Sequence, residues 1–209
     1  MKITYAITVC NDQFEIIRLV DMIRKNKRPQ DDIVVLFDQT NGSSEIPDWL
    51  VKQSKYPGFQ FWRGFFDGHF ADWKNILTEY CKGDYIFQID ADEYPNKDLF
   101  TSLPAILEAN PDNEVYLVPR VNTVEGLTEE HIAKWGWKVD EKGWVNYPDY
   151  QWRIWKNKPE IKWKNRVHEV LVGFKTYAAL PAKEELSLYH PKTIDKQEKQ
   201  NSYYESISN

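Results

Sequence analysis

The sequence contains few cysteines, no long apolar run and no excess of positive charge. Cys10 and Cys81 are its only cysteines, so no disulfide framework is indicated and buried free thiols are expected. No apolar stretch approaches the ~18 residues that a membrane-spanning helix needs, and the first residues enter a strand pattern without a signal peptide. We therefore expect a cytoplasmic protein without a transmembrane segment.

The charge and the lack of linkers exclude two further classes of protein. A net charge of -5 over 209 residues lacks the concentrated basic surface by which general nucleic-acid binders hold phosphates. No Ser/Gly-rich or Pro-rich linker and no internal repeat divides the chain, and its 42% hydrophobic content suffices for one core. The expectation is a single domain over residues 1–209 that binds no nucleic acid. The sequence leaves its oligomeric state open.

Aromatic residues, by contrast, are abundant, at 15% of the chain with nine Trp. Aromatic rings offer flat surfaces to sugars, but they also fill cores with large apolar area. Core packing is the favoured interpretation for any single one of them. The Trp residues of the second half are Trp135, Trp137, Trp144, Trp152, Trp155 and Trp163.

Strand and helix patterns alternate through the first half of the chain. Apolar runs predict strands over residues 2–10, 33–37, 59–62, 83–89 and 114–121. Apolar residues at helical spacing predict helices that start after Asp12, surround residue 50, and cover 69–81 and 98–109. On the first helix, Phe14, Ile17, Val20 and Ile23 would face the core. This alternation predicts an α/β fold with a mostly parallel central sheet flanked by helices.

The second half has a mixed pattern. Residues 124–143 form an irregular stretch rich in Trp and charge, followed by predicted strands over 150–155, 166–172 and 186–189. A polar helix is expected from residue 194 to the end. The change in pattern separates a regular part, residues 1–123, from a mixed part, residues 124–209.

Three carboxylates stand at the end of an apolar strand pattern, where Asp90, Asp92 and Glu93 follow residues 83–89. An Asp-x-Asp pair by itself often marks only an acidic turn or a helix cap. Here, however, the acids lie at the carboxyl end of a strand, where open α/β sheets bind ligands. Clustered carboxylates need a cation, and Mg²⁺ or Mn²⁺ suits one or two carboxylates together with substrate phosphates. The motif therefore predicts a divalent cation and a nucleotide diphosphate.

Five segments resemble the GT-A glycosyltransferases, in particular the family-2-like enzymes that transfer sugars from nucleotide donors. They are residues 7–12 (ITVCND), 35–42 (VLFDQTNG), 70–75 (FADWKN), 151–153 (QWR) and 167–169 (VHE), together with the Asp-Ala-Asp-Glu motif. The resemblance covers most of the chain. It implies a GT-A fold, with a nucleotide-sugar-binding half over 1–123 and an acceptor-side half over 124–209.

The resemblance also implies which residues bind the donor, expected to be a UDP-sugar. One departure concerns Lys74, which stands where the family more often has Arg and so loses the bidentate guanidinium fork. The implied donor-binding residues are Thr8, Asn11, Asp38, Arg63, Lys74, Asp90, Ala91 and Arg153.

A metal site for Mn²⁺ or Mg²⁺ is implied by the same resemblance. Asp92 is the first candidate for a direct ligand. Asp90 lies on the same face of the strand and would bind the ion directly, through water or through the donor ribose. A histidine from the second half would complete the site, and His168 and His190 are the two candidates, although a lone His is more often an ordinary hydrogen-bonded residue.

Transfer with inversion at the sugar carbon needs a general base that removes the proton of the acceptor hydroxyl. Asp149 and Glu169 are the candidates for this carboxylate, and for each the alternative is an ordinary salt bridge. The acceptor would be a glycan or another hydroxyl compound, bound on the Trp-rich surface of residues 124–150.

Two other functions stay open at this point. A non-catalytic carbohydrate-binding domain would use the aromatic residues for glycans and the acids for a structural cation, but such modules are usually β-sandwiches. A sugar nucleotidyltransferase would share the metal and the nucleotide but would release pyrophosphate, and the expected Gly-rich basic loop near the start is missing.

Overall fold

The apolar runs of the first half form the parallel strands of one sheet. The structure is a computed structural model that describes residues 1–207, with side chains up to residue 203. These strands are β1 (Ile3–Val9), β2 (Asp32–Asp38), β3 (Phe59–Gly64) and β4 (Tyr85–Asp90). β1 and β4 bury almost every side chain because helices cover both faces of a parallel sheet, which explains their continuous apolar sequences.

Five further strands extend the same sheet with mixed pairing. They are β5 (Tyr94–Pro95), β6 (Val115–Glu125), β7 (Val145–Lys156), β10 (Tyr177–Ala179) and β11 (Leu188–Thr193). Over residues 1–207 the sheet has nine strands in the order β3-β2-β1-β4-β7-β6-β11-β5, with β10 also on β6. β7 runs antiparallel to both β4 and β6, whereas β11 runs parallel to β6. The predicted α/β fold with a mostly parallel sheet is confirmed.

Helices pack on both faces of the sheet. They are α1 (Gln13–Asn26), α2 (Glu45–Gln53), α3 (Phe70–Tyr80), α4 (Lys97–Ala109), α5 (Glu129–Trp135) and α6 (Ile194–Ile207). α1 and α4 share one core with the side of β1 that carries Tyr5 and Ile7, and α3 shares a second core with the side that carries Ala6. None of the helices in residues 1–207 combines the length and apolarity needed to cross a bilayer.

The buried face of α1 differs from the predicted one. Ile16, Leu19, Val20 and Ile23 are fully buried and follow the i, i+3, i+4, i+7 spacing of one helical stripe. Phe14, which was expected to face the core, is 83% exposed. The prediction for Phe14 is wrong because residue 14 lies about 200° around the helix from Ile16, on the side opposite the buried stripe.

The second half holds more regular structure than its sequence pattern indicates. The stretch predicted to be irregular contains α5, which begins at a capping box between Thr128 and His131. The strand predicted over 166–172 is only β9 (Val170–Val172), paired with β8 (Lys162–Lys164) in a separate two-stranded sheet. Asn165 and His168 have positive φ angles of 81° and 53°, so the backbone before β9 is a turn rather than a strand.

Candidate active site

A cleft of about 900 Å³ opens at the carboxyl ends of β1, β2 and β4. Thr8, Asp38 and Asp90 end these strands and line the cleft, as expected for ligand sites in open α/β sheets. β6, β7 and β11 form the opposite wall, with Asn122 and His190 among the lining residues. The cleft therefore lies between the parallel strands β1, β2 and β4 on one side and β6, β7 and β11 on the other.

The carboxylate of Asp90 contacts cations on two sides. Arg153 Nη2 donates to Asp90 Oδ2 at 2.5 Å, and Lys74 Nζ lies 3.8 Å from Asp90 Oδ1. Gln88 Nε2 also donates to Asp90 Oδ1 at 2.9 Å. With 31% of its side chain exposed, Asp90 still faces the cleft, but protein cations already balance its charge.

Glu93 is the buried centre of the motif, with no exposed side-chain surface. Arg153 donates to it from Nε at 3.0 Å and from Nη2 at 2.7 Å, and Arg120 Nη1 donates at 2.8 Å. Burial alone would raise the pKa of Glu93, but the attraction of the two guanidinium groups outweighs it and lowers the pKa from 4.5 to about 2. Glu93 thus fixes both arginines from below the cleft.

Asp92 and His190 face each other across the cleft floor. His190 Nε2 lies 3.4 Å from Asp92 Oδ2, and the two side chains are 8% and 18% exposed. Burial lowers the pKa of His190 and favours the neutral imidazole. Burial would raise the pKa of Asp92, but the hydrogen bond and charge of His190 and the charges of two lysines hold it far below its usual range.

This pair fits a divalent cation. A neutral imidazole nitrogen and a carboxylate oxygen are ligands that Mn²⁺ accepts. One ion with bonds of roughly 2.1 Å to each atom fits the 3.4 Å between His190 Nε2 and Asp92 Oδ2. Within residues 1–207 there is no cluster of three or more His, Cys, Asp or Glu side chains arranged to hold a metal. The described side chains therefore offer a two-ligand site at most, with further positions open to other oxygen ligands.

A lysine from α6 reaches the same carboxylate. Lys196 Nζ lies 3.2 Å from Asp92 Oδ2 and donates to Asp12 Oδ1 at 2.8 Å. Burial would lower the pKa of Lys196, but these two carboxylates raise it, so the ammonium stays protonated. Lys192 on β11 also lines the cleft, and burial lowers its pKa to about 8. Positive charge therefore surrounds Asp92 on the α6 side.

Lys74 is held in a buried position on α3. Its Nζ lies 2.5 Å from Glu169 Oε1 and 4.7 Å from the centre of the Trp163 ring. The neighbouring Asn75 anchors the backbone of Trp163, because its Nδ2 donates to the Trp163 carbonyl at 3.0 Å and its Oδ1 accepts from the Trp163 backbone N–H at 2.9 Å. α3 and β8 together aim the ammonium at the cleft.

We expect Asn75→Ala to lower the free energy of unfolding by about 1–3 kcal/mol, because two backbone groups of β8 lose their partner. Urea unfolding of both proteins measures the difference. The matched control is Asn26→Ala, which removes one hydrogen bond within its own helix. Equal losses in the two variants would contradict a special role for the bond between α3 and β8.

The two candidate bases are both paired carboxylates. Arg120 donates to Asp149 Oδ2 from Nε at 3.0 Å and from Nη2 at 2.7 Å, and Asn122 Nδ2 donates at 2.8 Å. Burial would raise the pKa of Asp149, but Arg120 and these hydrogen bonds lower it. Burial would also raise the pKa of Glu169, but the charge and hydrogen bond of Lys74 lower it. Both carboxylates line the cleft in the ionised form.

Asp38 organises loops as well as lining the cleft. Its Oδ1 accepts from the backbone N–H of Thr40 at 2.7 Å and of Phe66 at 3.2 Å, while the Cys10 thiol donates to Oδ2 at 3.5 Å. The carboxylate is 3% exposed, so little of it is available to a ligand. Cys10 and Cys81 are free thiols, as expected.

The other predicted residues divide into two groups. Thr8, Ala91 and His168 line the cleft, the last on the turn before β9. Asn11 and Arg63 are exposed and are not among the lining residues in the described part of the chain. Arg63 lies on the edge strand β3, with its guanidinium 5.7 Å from the centre of the Phe61 ring. Their roles in donor binding stay predictions that the cleft geometry does not favour.

The aromatic residues also divide between core and cleft. Trp155 is 1% exposed and Trp163 4%, in agreement with core packing. Trp137 lies on the cleft wall, with the Trp135 ring 4.6 Å away. Trp137 thus brings an aromatic ring to the cleft wall, and an acceptor surface over residues 124–150 stays a prediction.

Four residues were missed in the sequence, of which Arg120, Asn122 and Lys192 line the cleft and Lys196 contacts Asp92 beside it. Arg120 and Asn122 interrupt the apolar strand β6 at a spacing of two, a signal that one polar face points into a site. Lys192 and Lys196 gave no such signal, since charged residues in a polar C-terminal stretch are ordinary.

Comparison with known proteins adds a family and a fold. The model of the family described as Glycosyl transferase family 2 matches residues 4–178. The crystal structure of S. aureus TarS 1-349 is similar with a TM-score of 0.63 at 14% identity, over 91% of this chain and 60% of that one. The same protein in complex with UDP-GlcNAc gives a TM-score of 0.56 at 14% identity, over 89% and 60% of the two chains.

These structural similarities concern the fold, because the sequence identity is low. The chain spans about 60% of the length of the TarS 1-349 structures that it matches. No curated protein sequence matches the chain.

Proposed function

Because the chain belongs to glycosyl transferase family 2, we propose that it transfers a sugar from a nucleotide-diphosphate donor to a hydroxyl acceptor in a reaction that depends on a divalent cation. The observation that carries this proposal is the pair of Asp92 and His190, 3.4 Å apart on the floor of a cleft at the strand ends. A carboxylate and a neutral imidazole in that place suit a cation that bridges protein and diphosphate.

Asp92 Oδ2 and His190 Nε2 would hold the cation, Mn²⁺ or Mg²⁺, and Asp90 would add a contact through water. The cation supplies neutralisation of the charge that develops on the leaving diphosphate. His168 is the weaker of the two histidine candidates, since it is exposed on a turn while His190 faces Asp92.

Protein cations surround the place proposed for the diphosphate. Lys74 is held toward the cleft by Glu169, and Lys192 and Lys196 approach from the other side. Such fixed charges stabilise a leaving group without reorganisation during the reaction. Arg153 is fully engaged by Asp90 and Glu93, so its role is to orient those carboxylates.

For the donor we propose a uridine nucleotide sugar bound by the half over 1–123, with Thr8, Asp38 and Ala91 along its path. The similarly folded TarS has been solved with UDP-GlcNAc, which makes uridine donors the first to test. The half over 124–209 would bind the acceptor beside Trp137, on the wall opposite the donor.

The proposed reaction inverts the configuration at the sugar carbon. The acceptor oxygen attacks that carbon, the bond to the diphosphate oxygen breaks with its electron pair, and a carboxylate takes the hydroxyl proton. Asp149 and Glu169 are both ionised and able to accept it, although their lowered pKa values make them weak bases in the free protein.

A thermal-shift screen of nucleotide sugars with Mn²⁺ tests donor and cation together. A specific donor at 100 times its dissociation constant stabilises the fold by about 2.7 kcal/mol, which corresponds to roughly 5–10 °C for a chain of this size. We expect that shift for one uridine sugar with Mn²⁺ and a much smaller one in chelator. No shift with any nucleotide would contradict the proposal and favour a carbohydrate-binding module.

A further inference from the structure

A chain of hydrogen bonds links Asp149, one of the candidate bases, to the proposed cation site. Asn122 Nδ2 donates to Asp149 Oδ2 at 2.8 Å. Asn122 Oδ1 lies 2.8 Å from His190 Nδ1, and His190 Nε2 lies 3.4 Å from Asp92 Oδ2. One amide therefore stands between a carboxylate and the imidazole that faces the other carboxylate.

The chemistry of these groups fixes the direction of each bond. An ionised carboxylate only accepts hydrogen bonds, so Asp149 requires the NH₂ group of Asn122 and turns the amide oxygen toward His190. An amide oxygen also only accepts, so His190 Nδ1 carries the proton. Nε2 is then the ring nitrogen that faces Asp92, and its lone pair becomes available to a cation that displaces the hydrogen bond between the two side chains.

The sheet sets this geometry rather than a flexible loop. His190 and Asn122 are register partners on the parallel strands β11 and β6. On the other side of β6, Arg120 pairs with Asp149 of β7, and Asn122 follows two residues later on the same face. Three adjacent strands thus hold the three side chains in line.

We propose that Asn122 is a positioning residue that holds His190 in the Nδ1–H tautomer, with Nε2 free for the cation. The inference rests on the proposed function, because it concerns the cation at Asp92 and His190. Partners that fix the tautomer of a ligating histidine commonly change metal affinity by about 10- to 100-fold when they are removed. Asp149 acts through the same amide, since it decides which way Asn122 points.

Titration of the full chain with Mn²⁺, followed by the electron paramagnetic resonance signal of the free ion, tests the proposal without any donor or turnover. We expect Asn122→Leu to weaken Mn²⁺ binding about 10- to 100-fold. Asn41→Leu is the matched control, because Asn41 lines the same cleft on the loop that follows β2, away from the strands that carry Asn122 and His190. His190→Ala shows whether the imidazole is a ligand at all.

A reciprocal exchange separates positioning from general disruption. Asn122→Asp alone places a second carboxylate against Asp149 and should weaken Mn²⁺ binding. In the double variant with Asp149→Asn, the new carboxylate at position 122 accepts from His190 Nδ1 and from the new amide at position 149. Mn²⁺ binding should therefore recover to within about threefold of the original protein. The exchange also keeps the test valid if Asn122→Leu does not fold.

Nitrogen-15 spectra of labelled histidine measure the tautomer directly in the presence of Mg²⁺, which is diamagnetic. With four histidines in the chain, His190→Ala assigns the signal. We expect the Nδ1–H form in the original protein and in the exchanged pair, and loss of that preference in Asn122→Leu.

The outcomes distinguish the two proposals. If His190→Ala weakens Mn²⁺ binding while Asn122→Leu changes neither affinity nor tautomer, the positioning role is wrong and the metal site stands. If neither the original protein nor any variant binds Mn²⁺, both the metal site and the positioning role fall.

Discussion

Asp92→Asn is expected to lower the rate of sugar transfer by roughly 100- to 1,000-fold, the size of effect seen when one main stabiliser of a developing charge is removed. The amide keeps the shape of the side chain but not the negative charge that would hold the cation. The fold should persist, because Asp92 lies at the cleft rather than in either core. The measurement is release of nucleoside diphosphate at saturating Mn²⁺.

Asp12→Asn serves as the control for Asp92→Asn. It removes the other carboxylate partner of Lys196, whose Nζ lies 2.8 Å from Asp12 and 3.2 Å from Asp92. We expect it to retain most of the Mn²⁺-dependent rate. If both variants lose activity equally, the effect belongs to Lys196 and α6 rather than to a cation on Asp92.

Glu93→Gln is expected to lower the free energy of unfolding by about 3–5 kcal/mol, as for other buried ion pairs that lose one partner. The fully buried carboxylate is the shared partner of Arg120 and Arg153, and its loss removes one negative charge from the buried network, so that Asp149 and Asp90 remain as the carboxylate partners of these arginines. Urea unfolding measures the change. Glu184→Gln, which breaks the exposed pair with Lys142, should leave the midpoint almost unchanged.

The same substitution should change how stability depends on pH. The pKa of Glu93 is lowered from 4.5 to about 2, so between those values the unfolded chain binds the additional proton. Stability from this group is therefore present above pH 4.5 and is lost as the pH falls toward 2. The stability of Glu93→Gln should fall less steeply over that interval, and an unchanged slope would contradict the buried ion network.

The fold was largely predictable because its signals are local. Continuous apolar runs identified β1, β2 and β4, and helical spacing identified α3 and α4, and the family match over residues 4–178 confirms the resemblance. Errors fall where local pattern is weak. The buried face of α1 was misassigned because Phe14 and Ile17 also fit a helical apolar stripe, and short strands such as β5 depend on partners distant in the sequence.

The site was predictable only in part, because only some of its residues give a local signal in the sequence. Asp90 and Asp92 stand out because carboxylates end an apolar strand. The groups around Asp92 come from distant parts of the chain. The register of β11 and β6 places His190 beside Asp92 and joins it to Asn122, and α6 brings Lys196 to the same carboxylate. A single sequence contains no local record of such pairings, so Asn122 and Lys196 were missed.

Product analysis with a uridine nucleotide sugar, a sugar acceptor and either Mn²⁺ or excess chelator tests the central claim most directly. We predict free nucleoside diphosphate and a glycosylated acceptor with Mn²⁺, and loss of both products in chelator. Undiminished transfer in chelator would contradict the cation site at Asp92 and His190. Release of pyrophosphate instead would identify a nucleotidyltransferase.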